Sequence, residues 1–285
     1  MNLKIATLQN ITVSELSSVW NRCWSGYFFD MSYTPEQMQG WLNLGQITLP
    51  HSLALKLHDT IIGFSLLAID GKDAWIAGTG IDPNYRRQGL FTPLLKAQIE
   101  LVKYLKLERI YLEVLLQNHA RKVYESVGFS KVRPVHIYRT GQEITEQAKK
   151  SFSLQVSRSP QIPFVEVEQE SYFKARRQAS FIPVWQRRES YLSKYPNKVA
   201  FLSADFNSGA LYANQQCTSL LDTWSSTLAG ASSVMTEILQ LSARTLSLTN
   251  QPEDQIYSLL SFWGIFPVAT QLEMSIVIQK NPIFS

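Results

Sequence analysis

The chain has 285 residues, of which 45% are hydrophobic and 18% charged, and its formal net charge is +4. That length fits two domains with real cores, and no apolar run reaches the roughly 18 residues that a membrane helix needs. The first residues lack the plan of a signal peptide, and neither the four histidines nor the two cysteines, Cys23 and Cys217, have metal-ligand spacing. We therefore expect a cytoplasmic protein with reduced thiols, no metal and no membrane contact.

The first half predicts the order β-α-α-β-β-β-α-β-α-β. Residues 3–8 alternate as a strand, Thr12 with Glu15 predicts a helix to about Trp24, and Thr34, Pro35 and Gln37 predict the start of a second helix. Later elements follow from apolar runs and helical spacing: strands at 52–58, 61–69, 74–81, 109–116 and 131–138, and helices near 90–105 and 119–128.

A basic, glycine-bearing turn joins the third of these strands to the next helix. The strand ends at Ile81, the turn carries Arg86, Arg87 and Gly89, and a helical pattern begins at Leu90. A helix N-terminus offers free N–H groups and partial positive charge, glycine allows close approach, and arginine adds charge-assisted hydrogen bonds. The turn therefore predicts a pyrophosphate-binding site.

The basic excess lies in the same half of the chain. Residues 1–141 contain 15 basic and 11 acidic side chains, whereas residues 142–285 contain 12 of each. A polyanionic ligand is therefore expected in the first half. Basic residues between Lys174 and Arg188 are diluted by neighbouring glutamates, which is typical of a solvated helix face, so we expect no nucleic-acid partner.

Two motifs resemble the GNAT superfamily of acyl-CoA N-acyltransferases. Arg86 with Gly89 resembles its R-x-x-G-x-G/A signature, and Asn118, Ala120 and Val123–Phe129 resemble its N-x-x-A-x-x-L-Y-E-x-x-G-F segment. Phe91 stands where glycine or alanine is usual. Asn118 precedes Ala120 by two residues rather than three, so the turn after this strand is one residue shorter than in the superfamily.

The resemblance implies acetyl-CoA as co-substrate, no metal, and direct transfer to a primary amine in a ternary complex. It also implies that strands 74–81 and 109–116 splay apart to admit the pantetheine arm, with the oxyanion near the end of the first strand. The cofactor-binding residues expected on this basis are Gly80, Ile81, Arg86, Arg87, Gln88, Gly89, Leu90, Phe91, Thr92 and Asn118.

Two residues are candidates for the chemistry. Tyr124 matches the tyrosine of the superfamily, which would protonate the leaving thiolate; a core tyrosine is the alternative. Glu113 interrupts an apolar strand, and Leu112-Glu113-Val114 resembles the acetyltransferases of ribosomal-protein N-termini, whose glutamate serves as base. The alternatives are a structurally bonded Glu113 and a base that acts through a water chain.

The acceptor side is expected among aromatic residues of the first two helices and their connection. Phe28, Phe29 and Tyr33 are the candidate substrate-binding residues, and core packing is the alternative for such aromatics. The acceptor stays open: a polyamine, an aminoglycoside, an amino acid or a protein N-terminus. The oligomeric state is open as well.

The second half repeats the pattern of the first in weaker form. A helical stretch precedes β-rich runs at 200–204, 210–213 and 218–224, and Asn207-Ser208-Gly209 predicts a hairpin turn between the first two. A helix near 233–241 and strands at 244–250 and 272–278 follow. Its counterpart of the basic turn, Ser225–Ala231, has no arginine, and Leu260 stands in place of the tyrosine. An unrelated α/β domain is the alternative.

We therefore predict an α/β (α+β) chain of tandem GNAT-like domains, each a mixed, mostly antiparallel sheet flanked by helices. Residues 1–141 would form the catalytic domain, 142–160 a linker, and 161–285 a degenerate domain that is structural or binds the acceptor. Two other functions stay open: a non-catalytic acyl-CoA-binding or regulatory protein, and an adaptor whose second half recruits the protein that the first half acetylates.

Overall fold

The computed structural model describes residues 3–139, 162–179, 185–213, 219–241 and 247–278. It divides into two compact units, Met1–Val132 with Glu273–Ser285, and Arg133–Leu272. The predicted linker, 142–160, and Cys217 lie outside the described residues, so the predicted domain boundaries remain predictions.

The first unit contains the elements that the sequence predicts for the first half, each ending within two residues of its predicted bounds. They are β1 Leu3–Thr7, α1 Val13–Trp24, α2 Pro35–Leu44, β2 Leu53–Leu57, β3 Thr60–Asp70, β4 Asp73–Ile81, α3 Phe91–Tyr104, β5 Arg109–Leu115, α4 Ala120–Ser126 and β6 Ser130–Arg139, the last of which crosses into the second unit. Local signals account for the helix starts. The Thr12 hydroxyl accepts from the Glu15 N–H, and Thr34 and Gln37 form a reciprocal capping box.

The sheet of the first unit is antiparallel from β1 through β4, and β5 then runs parallel to β4. The strand order continues with β12 (Ala269–Val277), whose residues from Glu273 onward belong to this unit. The fold is therefore the predicted mixed sheet.

Two apolar layers cover the faces of this sheet. On one face, α1 and α2 pack through Trp20, Leu16 and Met38 against Phe64 and Leu66 of β3. On the other face, Leu94 of α3 packs with β2 and β3. Gly78 of β4 lies under the Trp20 ring, where a Cβ would come within 2.6 Å of it. A glycine therefore lets α1 approach β4 closely.

The second unit has its own antiparallel sheet, in the order β10-β9-β8-β7. Its elements are β7 Phe164–Val167, α5 Gln169–Gln178, α6 Trp185–Ser193, β8 Lys198–Ser203, β9 Ser208–Ala213, β10 Ser219–Ser225, α7 Leu228–Leu241, β11 Ser247–Gln251 and α8 Gln255–Phe262. It has two clusters of buried apolar residues, one that contains Trp224 and Tyr172 and another that contains Met235 and Leu260.

Several predictions for the second half were wrong in detail. Strand β7 was not predicted. The hairpin between β8 and β9 turns at residues 204–207, because the Asp205 carboxylate accepts from the Ser203 hydroxyl and the Asn207 N–H; Ser208 and Gly209 already belong to β9. Helix α7 begins at Leu228, inside the predicted turn, because the Thr227 hydroxyl accepts from the Gly230 N–H and ends the turn early.

Candidate functional site

The predicted pyrophosphate turn is a concave run of backbone between β4 and α3. After a short 3-10 turn at Pro83–Tyr85, Arg87 and Gly89 have φ of +62° and +73°, while the flanking Arg86 and Leu90 have φ of −67° and −69°. Residues with φ of alternating sign aim successive N–H groups toward one point, which forms an anion-binding nest.

The segment Arg87–Thr92 contains no proline, so each of its residues carries a backbone N–H group. In the part of the chain that the structure describes, none of them donates a hydrogen bond. Helix α3 follows directly, its N-cap Leu90 offers no side-chain acceptor, and its first turn holds no acidic residue. The turn and the helix N-terminus together can therefore bind a dianion without displacing any internal contact.

The arginine side chains of the turn differ in their surroundings. The Arg86 guanidinium donates to the carbonyl oxygens of Ile81 at 3.0 Å, Cys23 at 2.8 Å and Ser25 at 3.3 Å. Arg86 and Arg87 are both exposed, but within the described residues the Arg87 side chain makes no hydrogen bond or ion pair. The sequence predicts that the Arg86 side chain binds phosphate, but three backbone carbonyls already accept its hydrogen bonds. The Arg87 side chain can reach an anion without breaking such bonds.

Strands β4 and β5 separate as the resemblance predicts. They pair only from Asp73–Trp75 to Arg109–Tyr111, although β4 continues to Ile81 and β5 to Leu115. A bulge shifts the register between β4 and β3 at Leu66 and Leu67, just beyond the paired segment of β4, and a bulge locally bends the strand that carries it. The expected splay is confirmed, and Gly80 and Ile81 lie at its open end.

Tyr124 lies in α4 near the N-terminus of α3. Its ring is buried and meets the rings of Phe91 and Phe129 edge-on, with centroids 5.5 and 5.6 Å away. Burial raises the pKa of the Tyr124 phenol above its usual value, and the nearby phenol of Tyr27 raises it further. The Tyr124 phenol is therefore protonated at physiological pH. Phe91, the departure from the superfamily pattern, packs directly against it.

Asn118 connects this region to the loop after α1. Its side-chain oxygen accepts from the Ala120 N–H at 2.9 Å and so begins α4, while its amide donates to the Tyr27 hydroxyl at 3.5 Å. Burial raises the pKa of Tyr27 as well. Asn118 therefore contacts Tyr27, and Tyr27 lies near Tyr124. The predicted site did not include Tyr27.

Glu113 lies on β5 just beyond the last residue paired with β4. It is half-buried, and the Trp75 indole donates to its carboxylate at 2.7 Å. Trp75 in turn meets Trp41 of α2 edge-on, with ring centroids 5.7 Å apart. Trp75, which packs against α2, thus orients the Glu113 carboxylate. The sequence analysis did not single out Trp75.

The loop between α1 and α2 forms a cleft of about 350 Å³, lined by Asn21 and by residues 24–32. Phe28 and Phe29 line it and are 51% and 41% exposed, as a binding surface requires. Tyr33 does not line it. The Tyr33 ring stacks on Trp20, and its backbone is bound to Asn21 and Ser17, so it belongs to the core of the first unit.

The corresponding turn of the second unit is closed by its own residues. The buried Asp254 carboxylate accepts from the Ser225 N–H, the Ser225 hydroxyl accepts from the Thr227 N–H, and the Thr227 hydroxyl accepts from the Gly230 N–H. A Cβ on Gly230 would collide with the Ser208 hydroxyl, because Ser208 packs directly against the Gly230 backbone. Leu260, in the place of Tyr124, is a buried core residue.

Residues 6–129 match the family model described as the acetyltransferase (GNAT) family. The turn, the splayed strands and the helix after them lie within that segment. Residues 6–129 are therefore similar to the GNAT acetyltransferase family, and the chain has the fold of the solved GNAT structures, which confirms the resemblance and the predicted fold class.

Solved structures described as acetyltransferases or GNAT proteins align with nearly the whole chain. A provisionally named acetyltransferase from Pyrococcus horikoshii is 14% identical over 98% of this chain and 90% of its own, with a TM-score of 0.66. A GCN5-related N-acetyltransferase from Sphaerobacter thermophilus is 11% identical over 98% and 96%, with a TM-score of 0.63. A tandem GNAT protein from the clavulanic acid biosynthesis pathway is 11% identical over 98% and 100%, with a TM-score of 0.59.

These identities show likeness of fold alone. Comparison of the sequence with curated proteins gave no match. Among the described residues, no group of three or more His, Cys, Asp or Glu side chains is placed to hold a metal ion. Within the same ranges, every helix is too short or too polar to cross a bilayer.

Proposed function

We propose that this chain transfers an acetyl group from acetyl-CoA to a primary amine, by direct attack of the amine on the thioester in a ternary complex. The family match and the fold support acyl transfer in general. The observation that carries the finer proposal is the row of N–H groups from Arg87 to Thr92, which lack acceptors within the described residues and lie at the open end of β4 and β5.

The cofactor fits this opening by its chemistry. Its diphosphate would accept from the N–H groups of Arg87–Thr92, with the Arg87 side chain as counter-ion. The unpaired edge of β4 between Ile76 and Ile81 offers backbone groups to the amides of the pantetheine arm, as an added strand would. Backbone N–H groups near Gly80 and Ile81 would stabilise the oxyanion that develops on the carbonyl.

Two side chains would move protons. Tyr124, kept neutral by burial, would donate to the leaving thiolate. Glu113, oriented by Trp75, would accept the proton of the attacking amine, directly or through water. The rival arrangement is a water chain that runs along β4 past Thr79, whose hydroxyl is bonded to the Phe64 carbonyl.

The acceptor would bind at the cleft after α1, against Phe28 and Phe29. Its volume of about 350 Å³ suits a small-molecule amine or the first residues of a protein N-terminus. A cytoplasmic location belongs to the same proposal and is supported by the free, buried thiol of Cys23.

The second half would not bind acetyl-CoA. Its turn holds no arginine, and Thr227 and Asp254 already use N–H groups there. The single active centre would therefore lie in the first half, and the second half would have a structural or acceptor-binding role.

A second candidate function is a non-catalytic acyl-CoA-binding protein. The observation that favours it is the Phe91 ring, which stands at the start of α3 where the superfamily has a small residue and covers one edge of Tyr124. Binding without turnover in the presence of amines would distinguish it from the enzyme.

The cofactor site is tested by placing a carboxylate at the helix N-terminus. Thr92→Glu adds an anion to the first turn of α3, where it stabilises the helix but repels a diphosphate, and Thr92→Gln is the matched neutral control. In calorimetric titrations with CoA, we expect the glutamate variant to bind at least about tenfold more weakly than the glutamine variant. Equal affinities would refute the diphosphate site.

A further inference from the structure

Two arginines connect the end of α1 with the turn before α3, each reaching from one segment to the other. Arg22, in the last turn of α1, donates its Nε to the Asp82 carboxylate at 2.7 Å and a second N–H to the Ile61 carbonyl at 2.5 Å. The other oxygen of Asp82 accepts from the Asn84 N–H and so shapes the chain that enters the turn. Asp82 itself is buried.

The second arginine runs in the opposite direction. Arg86, in the turn, donates to the carbonyls of Cys23 and Ser25 at the C-terminus of α1, and its Nε donates to the carbonyl of Ile81, the last residue of β4. Carbonyls at a helix C-terminus are acceptors without internal partners and carry partial negative charge, which suits a guanidinium. One side chain therefore joins α1, β4 and the turn.

The carbonyls that Arg86 binds belong to the two segments that would hold the acceptor and the thioester. Ser25 is the C-cap of α1 and begins the proposed acceptor cleft, which continues through residue 32. Ile81 ends the strand whose open edge would carry the thioester. The same guanidinium therefore fixes the first residue of the acceptor loop relative to both the end of β4 and the phosphate turn.

We infer that Arg86 is a positioning residue that couples the acceptor loop to the acyl-CoA turn, and that Arg87 alone supplies side-chain charge to the diphosphate. The inference rests on the proposed function. Both arginines are exposed, but Arg86 would have to give up three backbone hydrogen bonds to reach an anion, whereas the Arg87 side chain makes no hydrogen bond or ion pair within the described ranges. Cofactor bound to the turn then reduces motion of Ser25 and of the loop after it.

Hydrogen exchange of the acceptor loop tests the coupling directly. In the wild-type chain, saturating CoA is expected to slow amide exchange in Gly26–Ser32. Arg86→Ala is expected to lose that protection while its CoA dissociation constant stays within about threefold of wild type. Arg87→Ala is the matched control: at saturating CoA it keeps the protection.

Salt dependence separates the two arginines further. For Arg87→Ala, CoA affinity is expected to fall about tenfold at low salt and to depend less on ionic strength, because one phosphate counter-ion is lost. Arg86→Ala is expected to retain the wild-type salt dependence. Arg22→Gln opens the other bridge without removing charge from the turn and should reproduce the Arg86→Ala effect on exchange, together with a raised KM for the amine and an unchanged KM for acetyl-CoA.

Different failures are distinguishable. If the wild-type chain binds no CoA, the proposed function falls and this inference with it. If wild type binds CoA but Arg86→Ala loses affinity and salt dependence as Arg87→Ala does, or keeps the loop protection, the proposed function stands and the coupling is refuted. Thermal unfolding of each variant identifies a folding defect, and Arg22→Gln then decides the question.

Discussion

Tyr124 is the residue on which the proposed chemistry depends most directly. Its phenol has a raised pKa because it is buried, and its ring is held edge-on by Phe91 and Phe129. Tyr124→Phe keeps the ring and removes only the hydroxyl, so packing and CoA affinity should be unchanged. We expect kcat to fall by about 10²-fold or more, measured as thiol release from acetyl-CoA. An unchanged kcat would remove Tyr124 from the mechanism.

Glu113 offers a similarly conservative test. Glu113→Gln retains a side-chain oxygen for the Trp75 indole, so the opening between β4 and β5 keeps its shape. If Glu113 is the base, the rate at neutral pH falls by about 10²-fold, with little change in acetyl-CoA KM. Loss of less than about threefold would favour the water chain instead. Trp75→Phe serves as the companion variant, since it leaves the carboxylate in place but less well oriented.

Sequence motifs identified residues but not the role of every side chain. Arg86 and Gly89 were visible because their spacing is local. The carbonyls that occupy Arg86 belong to Cys23 and Ser25, about 60 residues earlier, and the Arg22–Asp82 pair has the same separation. No periodicity or spacing connects such residues, so only the packing of α1 on β4 brings them together.

Within the elements, the packing of α1 on β4 depends on a residue that has no side chain. A Cβ at Gly78 would come within 2.6 Å of the Trp20 ring, which is buried and has little room to move. We expect Gly78→Ala to destabilise the chain by about 1–3 kcal/mol in denaturant unfolding.

Gly40, inside α2, is the matched glycine. A Cβ there would meet nothing within 4 Å, so Gly40→Ala should stabilise the helix by about 0.5–1 kcal/mol. Destabilisation of the same size at both positions would show that close contact with Trp20 is not the reason for glycine at residue 78.

Elements of the first half were predictable because capping residues, turns and apolar periodicity agree. Thr34 with Pro35 begins α2, and the apolar strands that follow are bounded by short turns. Second-half elements were predicted less well. Helix α7 begins five residues early because Thr227 caps it, and β7 is too short for a periodicity signal.

For the molecule as a whole, we expect the free energy of unfolding to depend on pH through Asp254 in the second unit. Burial raises the pKa of this carboxyl from 3.8 to about 6. The folded state thus binds the proton more tightly than the unfolded chain. The stabilising contribution is therefore fully present below pH 3.8 and is lost as the pH rises through 6.

Asp254→Asn lacks this titration. Relative to the variant, wild type should gain about 2 kcal/mol of unfolding free energy between pH 7 and pH 4, measured by denaturant unfolding at both values. Asp205, whose pKa is lowered by hydrogen bonds from Ser203 and Asn207, should show the opposite trend when replaced by asparagine. No change in the Asp254→Asn difference would contradict the assigned shift.

Charge and turn chemistry together predict one cofactor site per chain. The basic excess lies in residues 1–141, and the second turn is closed by Thr227 and Asp254. Calorimetric titration with CoA should therefore give a stoichiometry of one, unaffected by changes at Thr227. Two equivalent sites would show that the second half retains a functional opening.

Thiol release from acetyl-CoA in the presence of pooled primary amines tests the central claim most directly. We expect release that requires an amine, is strongly reduced in Thr92→Glu but retained in Thr92→Gln, and is matched by the appearance of an acetylated amine. Tight binding of acetyl-CoA with no amine-dependent release from any pool would contradict an acetyltransferase and favour a protein that only binds the cofactor.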